Sequence, residues 1–356
     1  MDILGVILTF APLILILWLA NLGQRLRERN IPHMTPVVVS YAFLIILYLF
    51  FLLFGVVTVI GSVVLQAQPD LVRQFTTNGV NPLDQVSSWA WLSWGTLLPS
   101  VLGLLLLLKP VRRFCARFTS LDPDHPVHTV ALSMTMLTII SLAFTLGVGL
   151  GNLSVQLEQQ TAETGVPAVP LATIWAQAAM FLLMALIGVG WLSRRTFGET
   201  LARLGIVRPT LREVLIGIGL ALALVPIVML FEAGMRAIGL GVDEDVESLM
   251  NQLVGPLFAS PWGVISIGLA AAIGEEPIFR GALQPRFGLL LSAVLFALVH
   301  SQYGISLATV IVLLLGLVLG WERKRFNTTT SIITHALYNS LLAGIAYFAA
   351  QVLSQQ

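Results

Sequence analysis

Ten apolar stretches of roughly transmembrane length succeed one another along this chain of 356 residues. They lie at about 3–22, 37–66, 89–108, 127–150, 170–192, 212–240, 262–282, 287–301, 304–320 and 331–352. About 20 mostly apolar residues in a helix cross the ~30 Å hydrocarbon core of a bilayer. Lipid offers no partners to backbone N–H and C=O groups, so a segment of this kind must satisfy them internally as a helix. The expectation is an all-α polytopic transmembrane helix bundle of about ten spans, a multi-pass integral membrane protein. The second and sixth stretches are long enough to tilt or project, and the eighth is short. Composition agrees, with 57% of residues hydrophobic and 10% charged, against about 25% charged in an ordinary soluble domain.

The links between the stretches alternate in charge. Arg25, Arg27 and Arg29 follow the first, and Lys109, Arg112, Arg113 and Arg117 the third. Arg194, Arg195, Arg203 and Arg208 follow the fifth, Arg280 and Arg286 mark the turn after the seventh, and Arg323, Lys324 and Arg325 close the ninth. The intervening links are acidic or neutral. One holds Asp70 and Asp84 with Arg73, another Glu158 and Glu163, and a third Asp243, Glu244, Asp245 and Glu247. Basic links stay cytoplasmic, so ten spans put every basic link in the cytoplasm and both termini on the non-cytoplasmic side. Trp89, Trp91 and Trp94 at the start of the third stretch, with Trp262 and Trp321 flanking the seventh and ninth, suit the membrane interface.

The opening residues Met1-Asp2-Ile3-Leu4 lack a basic n-region. The first stretch is therefore expected to stay as a span and not to be cleaved as a signal peptide. A net charge of +1 with no basic stripe gives nucleic acid nothing to bind. The single cysteine, Cys115, has no internal disulfide partner. Glycines such as Gly147, Gly188, Gly190, Gly316 and Gly320 let transmembrane backbones approach closely. A helix-breaking region around 196–209 divides the chain softly. Residues 1–200 hold about five spans to which no chemistry attaches. Residues 201–356 hold the other five, with a polar core at about 260–350.

Ionisable groups inside spans are costly and mark function by default, and here they fall in three short motifs. The first is Gly274-Glu275-Glu276-Pro277-Ile278-Phe279-Arg280-Gly281. Glu276 and Arg280, four apart, share a helix face and can pair. Glu275 points about 100° away and keeps a carboxylate free to act as a base. The second is Phe296-Ala297-Leu298-Val299-His300, and the third His335-Ala336-Leu337-Tyr338-Asn339. His335 and Asn339 stack on one face and can donate to one oxygen. A depth mismatch accompanies them. If the eighth span begins near Phe287, His300 lies about 20 Å along it, beyond the midplane, while His335 is nearer the cytoplasmic face. A span that starts inside the membrane or tilts removes the mismatch.

The order Glu-Glu-x-x-x-Arg, Phe-x-x-x-His, His-x-x-x-Asn resembles the CPBP family of intramembrane endopeptidases. These are the CaaX prenyl proteases and bacterial relatives that include abortive-infection, bacteriocin-processing and immunity proteins. All three motifs are complete, and the resemblance covers roughly residues 260–350. It implies an intramembrane endopeptidase that hydrolyses a peptide bond near the C-terminus or a membrane-proximal part of a protein or peptide, prenylated or not. It implies Glu275 as general base with His300 as its partner, His335 and Asn339 as the oxyanion hole, and Glu276, Arg280 and Phe296 in support. A catalytic core of this kind would open toward the cytoplasm, in the plasma (inner) membrane if the chain is bacterial. A metal-free, glutamic-type site is favoured, and no His-Glu-x-x-His occurs. The alternative is a zinc set of Glu275, His300 and His335. The rival functional readings are a non-catalytic immunity-type or scaffold protein of the same fold, and a proton-coupled transporter using the same carboxylates.

Overall fold

The computed structural model describes residues 2–67, 86–241 and 243–353. The link bearing Asp70, Arg73 and Asp84 lies outside the described residues. Among the described residues the chain is helical, without a named strand. Helix α1 spans Ile3–Glu28, α2 Met34–Ala67 and α3 Trp89–Leu105, which bends by 97° into the short α4, Lys109–Cys115. Then come α5 Pro126–Val148, α6 Leu150–Thr164, α7 Leu171–Gly188, α8 Phe197–Leu204, α9 Leu211–Ala237 and α10 Glu244–Val254. The C-terminal part holds α11 Pro261–Glu276, a π-helical turn Pro277–Leu283, α12 Gln284–Val299, α13 Leu307–Arg325 and α14 Thr328–Leu353.

Local chemistry sets the boundaries. Ser88 and Ser260 accept from the first-turn amides of α3 and α11, which meets donors that a helix start leaves orphaned. Reciprocal capping boxes, Thr196 with Glu199 and Thr210 with Glu213, open α8 and α9. Gly205 ends α8 with φ +72°, a left-handed conformation that costs glycine little.

Among the described residues seven helices are long and apolar enough to cross a membrane, or eight if the bent α3–α4 pair is one span. The count of about ten is not reached, for two physical reasons. Residues 261–299, expected as two stretches, form one helical run of 39 residues. Helix α13 ends in Glu322, Arg323, Lys324 and Arg325, which leaves its apolar part short. The non-cytoplasmic placement of both termini rested on ten crossings and does not follow from this count.

The run 261–299 is nevertheless not straight. A straight helix would separate residues 275 and 300 by about 37 Å, yet their side chains lie 3.8 Å apart. The chain reverses at Gly288, whose φ of 82° and ψ of 173° are outside the helical region and open chiefly to glycine. This reversal removes the depth mismatch, because it carries His300 back to the level of Glu275.

The basic links converge on one end of the bundle. Arg27 donates to the Asp124 carbonyl, Arg194 pairs with Glu28 at 3.1 Å, and the Ser120 amide donates to the Arg286 carbonyl. Arg203 donates to the Gly281 carbonyl and Arg323 to that of Arg280. At the opposite end α6 packs on α10. Ser154 and Ser248 share a hydrogen bond of 2.7 Å, and Leu150, Val246 and Leu249 form an apolar cluster against Tyr303.

Two devices fix the bundle where the site lies. The largest apolar cluster joins Leu132, Ala185 and Leu186 of the N-terminal helices to Phe279, Phe287 and Phe296, so it draws on both sides of residue 200. Helix α11 meets α14 at Gly268, where a Cβ would strike the Ser340 hydroxyl and the Ala336 carbonyl. Without a hydrophobic drive between spans, such small-residue contacts let two transmembrane helices pack.

Candidate active site

The reversal at Gly288 and the contact at Gly268 bring α11, α12 and α14 together, and all three motifs meet there. Glu275 and His300 form its partly open side. His300 Nε2 lies 3.8 Å from Glu275 Oε2, with side chains 17% and 16% exposed. That separation is too long for a direct hydrogen bond. His300 Nδ1 is 2.7 Å from the Phe296 carbonyl oxygen. A carbonyl only accepts, so Nδ1 carries the hydrogen and the neutral ring presents its Nε2 lone pair to Glu275. Tyr303 stacks on the same imidazole, with centroids 6.0 Å apart and planes 5° apart.

Behind this pair lies a closed ionic network. Glu276 is fully buried. Its Oε1 accepts from His335 Nδ1 at 2.8 Å, and its Oε2 lies 3.2 Å from Arg280 Nε. The expected one-turn contact between Glu276 and Arg280 is therefore present, and Glu276 bridges Arg280 and His335 where the sequence suggested Arg280 alone. Arg280 was also counted among the basic links, but it is 1% exposed and sits inside the site. Its guanidinium carbon stands 4.2 Å from the Phe296 ring centroid, a geometry in which the ring's negative face stabilises the cation.

Phe296 joins the two sides. Its ring meets Phe279 edge-on at 5.2 Å, His300 at 4.9 Å and His335 at 5.9 Å. A flat, apolar, 1%-exposed residue thus separates the histidines while touching both. Asn339 lies one turn beyond His335 on α14, half-buried, and its amide makes no hydrogen bond among the described residues.

Two site residues lay outside the motifs. Glu322 is fully buried and its Oε1 accepts from Thr334 Oγ1 at 2.7 Å. It stands close enough for its charge, like that of Glu275, to act on Arg280. Its only signal was an acidic residue inside the run Trp321-Glu322-Arg323-Lys324-Arg325, which otherwise reads as a topology marker. Tyr303 had no signal beyond its nearness to His300. As for metal, no three His, Cys, Asp or Glu side chains among the described residues are arranged to hold an ion. His335 turns its Nδ1 to Glu276, which leaves its Nε2 as the ring nitrogen available to the site.

Residues 257–341 match the family model described as type II CAAX prenyl endopeptidase, Rce1-like. The matched segment, about a quarter of the chain, contains every residue of the three motifs. Over that segment the chain is similar to this protease family, as the motifs imply. No curated protein and no solved structure matches the chain.

Proposed function

We propose that the chain is an intramembrane CAAX-type endopeptidase that hydrolyses a peptide bond with a water held between Glu275 and His300. The observation that carries this reading is the pair itself: two acceptor atoms 3.8 Å apart on the only partly exposed carboxylate and imidazole of the cluster. A water donating one hydrogen to each acceptor turns its lone pairs outward, toward a scissile carbonyl carbon. As the oxygen–carbon bond forms, Glu275 takes a proton and later gives it to the leaving amine while the carbon–nitrogen bond breaks.

The developing oxyanion requires donors. The Asn339 amide supplies one and His335 Nε2 the other. Nδ1 already donates to Glu276, so Nε2 donates only when both ring nitrogens carry a hydrogen. Donors in a water-poor site act more strongly than in bulk solvent. Arg280 in turn holds Glu276 in place, and Phe296 holds Arg280.

The family match supports a substrate of the CaaX class, a C-terminal or membrane-proximal peptide that carries a prenyl group or lacks one. The basic end of the bundle would face the cytoplasm, which suits cytoplasmic tails. We read the mechanism as metal-free, with a zinc on Glu275, His300 and His335 as the alternative. Purified protein in lipid, offered a peptide set with and without prenyl groups and read by mass spectrometry, tests the proposal against Glu275→Ala. Cleavage by wild type alone supports Glu275 as the base, whereas equal cleavage by both removes it. Unchanged turnover after chelation, with no zinc retained by elemental analysis, supports the metal-free form. Loss on chelation and recovery with zinc overturns it.

A further inference from the structure

A cavity of about 740 Å³, with Phe279 in its wall, lies between α1, α5, α7 and the segment 278–299. The size falls in the ~300–1,000 Å³ range of small-molecule sites. Its body is apolar, built from residues such as Leu13, Phe144, Phe181 and Leu295. One end is basic: His125, His128, Arg194, Arg195, Arg203 and Arg286 all line it. None of Glu275, His300, His335 or Asn339 does, so this is not where a peptide bond meets the reactive pair. Five of the six basic-end residues also precede the family-matched segment.

A polar chamber of about 350 Å³ shares Arg194 and Arg195 with this end and adds Arg25, Glu28, Arg29 and Glu199. The turn 190–195 places both shared arginines. The amides of Ser193, Arg194 and Arg195 all donate to the Gly190 carbonyl, and Gly190 has φ +113°, which favours glycine.

Charge at this end is unbalanced. Glu28 pairs with Arg194 at 3.1 Å, and Glu199 is engaged in capping its own helix. Arg195, Arg203 and Arg286 have no carboxylate within ion-pair distance among the described residues. Burial, with Arg286, Arg195, Arg323 and Arg194 nearby, lowers the Arg203 guanidinium to about 10. Arg286 Nε is buried without a hydrogen-bond partner. Arg194, Arg195 and Arg203 spend donors on Asn21, Glu28 and the Val189 and Gly281 carbonyls, and the donors that remain around this space, with those of Arg286, suit the oxygens of a phosphate.

We propose that this cavity is a binding site for an anionic phospholipid, its acyl chain in the apolar body and its phosphate among Arg194, Arg195, Arg203 and Arg286. Basic pockets between spans near the cytoplasmic face are where such headgroups bind. Ile278, Phe279, Ala282 and Leu283 form part of the wall, so a bound acyl chain buttresses the π-helical turn that carries Arg280. This gives the N-terminal spans a role, as most of a lipid site that supports the catalytic helix from behind.

Native mass spectrometry of the delipidated full chain in neutral detergent tests this directly. The probes are phosphatidylglycerol, phosphatidylcholine with the same chains, inorganic phosphate, and a farnesylated peptide with a free C-terminus. Phosphatidylglycerol should bind at least about tenfold more tightly than phosphatidylcholine. Arg286→Gln should lose about tenfold, as expected for removing a hydrogen bond to a charged group. If that variant elutes as aggregate, Arg195→Gln reads the same loss. Ala131→Trp, which fills the apolar body and leaves the basic end intact, should abolish binding. Equal affinity for the two lipids overturns the proposal, as does binding of inorganic phosphate as tight as that of the lipid. Displacement of phosphatidylglycerol by the farnesylated peptide also overturns it and assigns the cavity to substrate. Because the readout is binding, the result stands whether or not Glu275 is the catalytic base.

Discussion

His335 Nδ1 donates to Glu276 Oε1 at 2.8 Å, and this one bond fixes which nitrogen of a nearly inaccessible ring faces the reactive space. If the other nitrogen stabilises an oxyanion, Glu276 acts through His335 without touching substrate. Glu276→Gln keeps an acceptor opposite Nδ1 but removes the carboxylate charge behind the ring. The expected result is a fall in kcat of about 10²–10³, the scale of losing an oxyanion donor, with KM nearly unchanged. Such a split marks an interaction made in the transition state. A matching rise in KM would assign Glu276 to ground-state structure instead.

Among the described residues Arg280 and His335 are the side chains that engage the Glu276 carboxylate, and Arg280 lies in the field of Glu275 and Glu322 as well. Removing one partner of a buried pair leaves an uncompensated charge and costs about 3–5 kcal/mol. Arg280→Met should therefore lower the midpoint of thermal unfolding sharply, measured by fluorescence in detergent. Arg280→Met combined with Glu276→Gln should regain much of the loss, because the orphaned carboxylate is gone. Additive losses in the double variant would mean that the pair is not energetically coupled.

The chemistry of this site was largely legible in sequence, because an ionisable residue inside an apolar run stands out against its neighbours. Glu275, Glu276, Arg280, His300 and His335 were visible for that reason. Their mutual contacts were not. The approach of Glu275 to His300 depends on the reversal at Gly288, and hydropathy registers this only as a short gap between two stretches. Glu322 was masked by the basic residues that follow it, since charge at a helix end is the usual sign of an interface. The apolar cavity had no local trace, because its walls come from helices far apart in the chain and each is as apolar as any span. The count of about ten spans is not confirmed where length and composition part from geometry, at the bent run 261–299 and the charged end of α13.

His125, at the start of α5 just outside the span, adds a pH-dependent term. Burial, with His128, Arg194, Arg286 and Arg27 close by, lowers its imidazole to about 3 from the ordinary 6.5. The unfolded chain therefore takes up this proton first. The stabilisation is fully present above about pH 6.5 and is lost as pH falls toward about 3, at no more than about 1.4 kcal/mol per pH unit for one group. Between pH 7 and 5 the thermal midpoint of the wild type should fall. His125→Asn, which cannot titrate, should show a flatter profile. Parallel profiles would remove His125 as the source.

The basic links gather at one end of the bundle and the α6–α10 helices at the other, so sidedness can be read with thiol probes. Cys115 is the only cysteine, and a Cys115→Ser chain provides a clean background. Phe118 is 75% exposed beside the basic link after α4, and Val166 is 52% exposed in the link after α6. Single cysteines at these positions should label with a membrane-impermeant maleimide in opposite vesicle orientations. By the positive-inside rule, Phe118→Cys should react only in inside-out vesicles and Val166→Cys only in right-side-out ones. Labelling of both from one side would break the two-ended arrangement. The reverse assignment would turn the basic end, and the proposed entrance for cytoplasmic tails, to the opposite face.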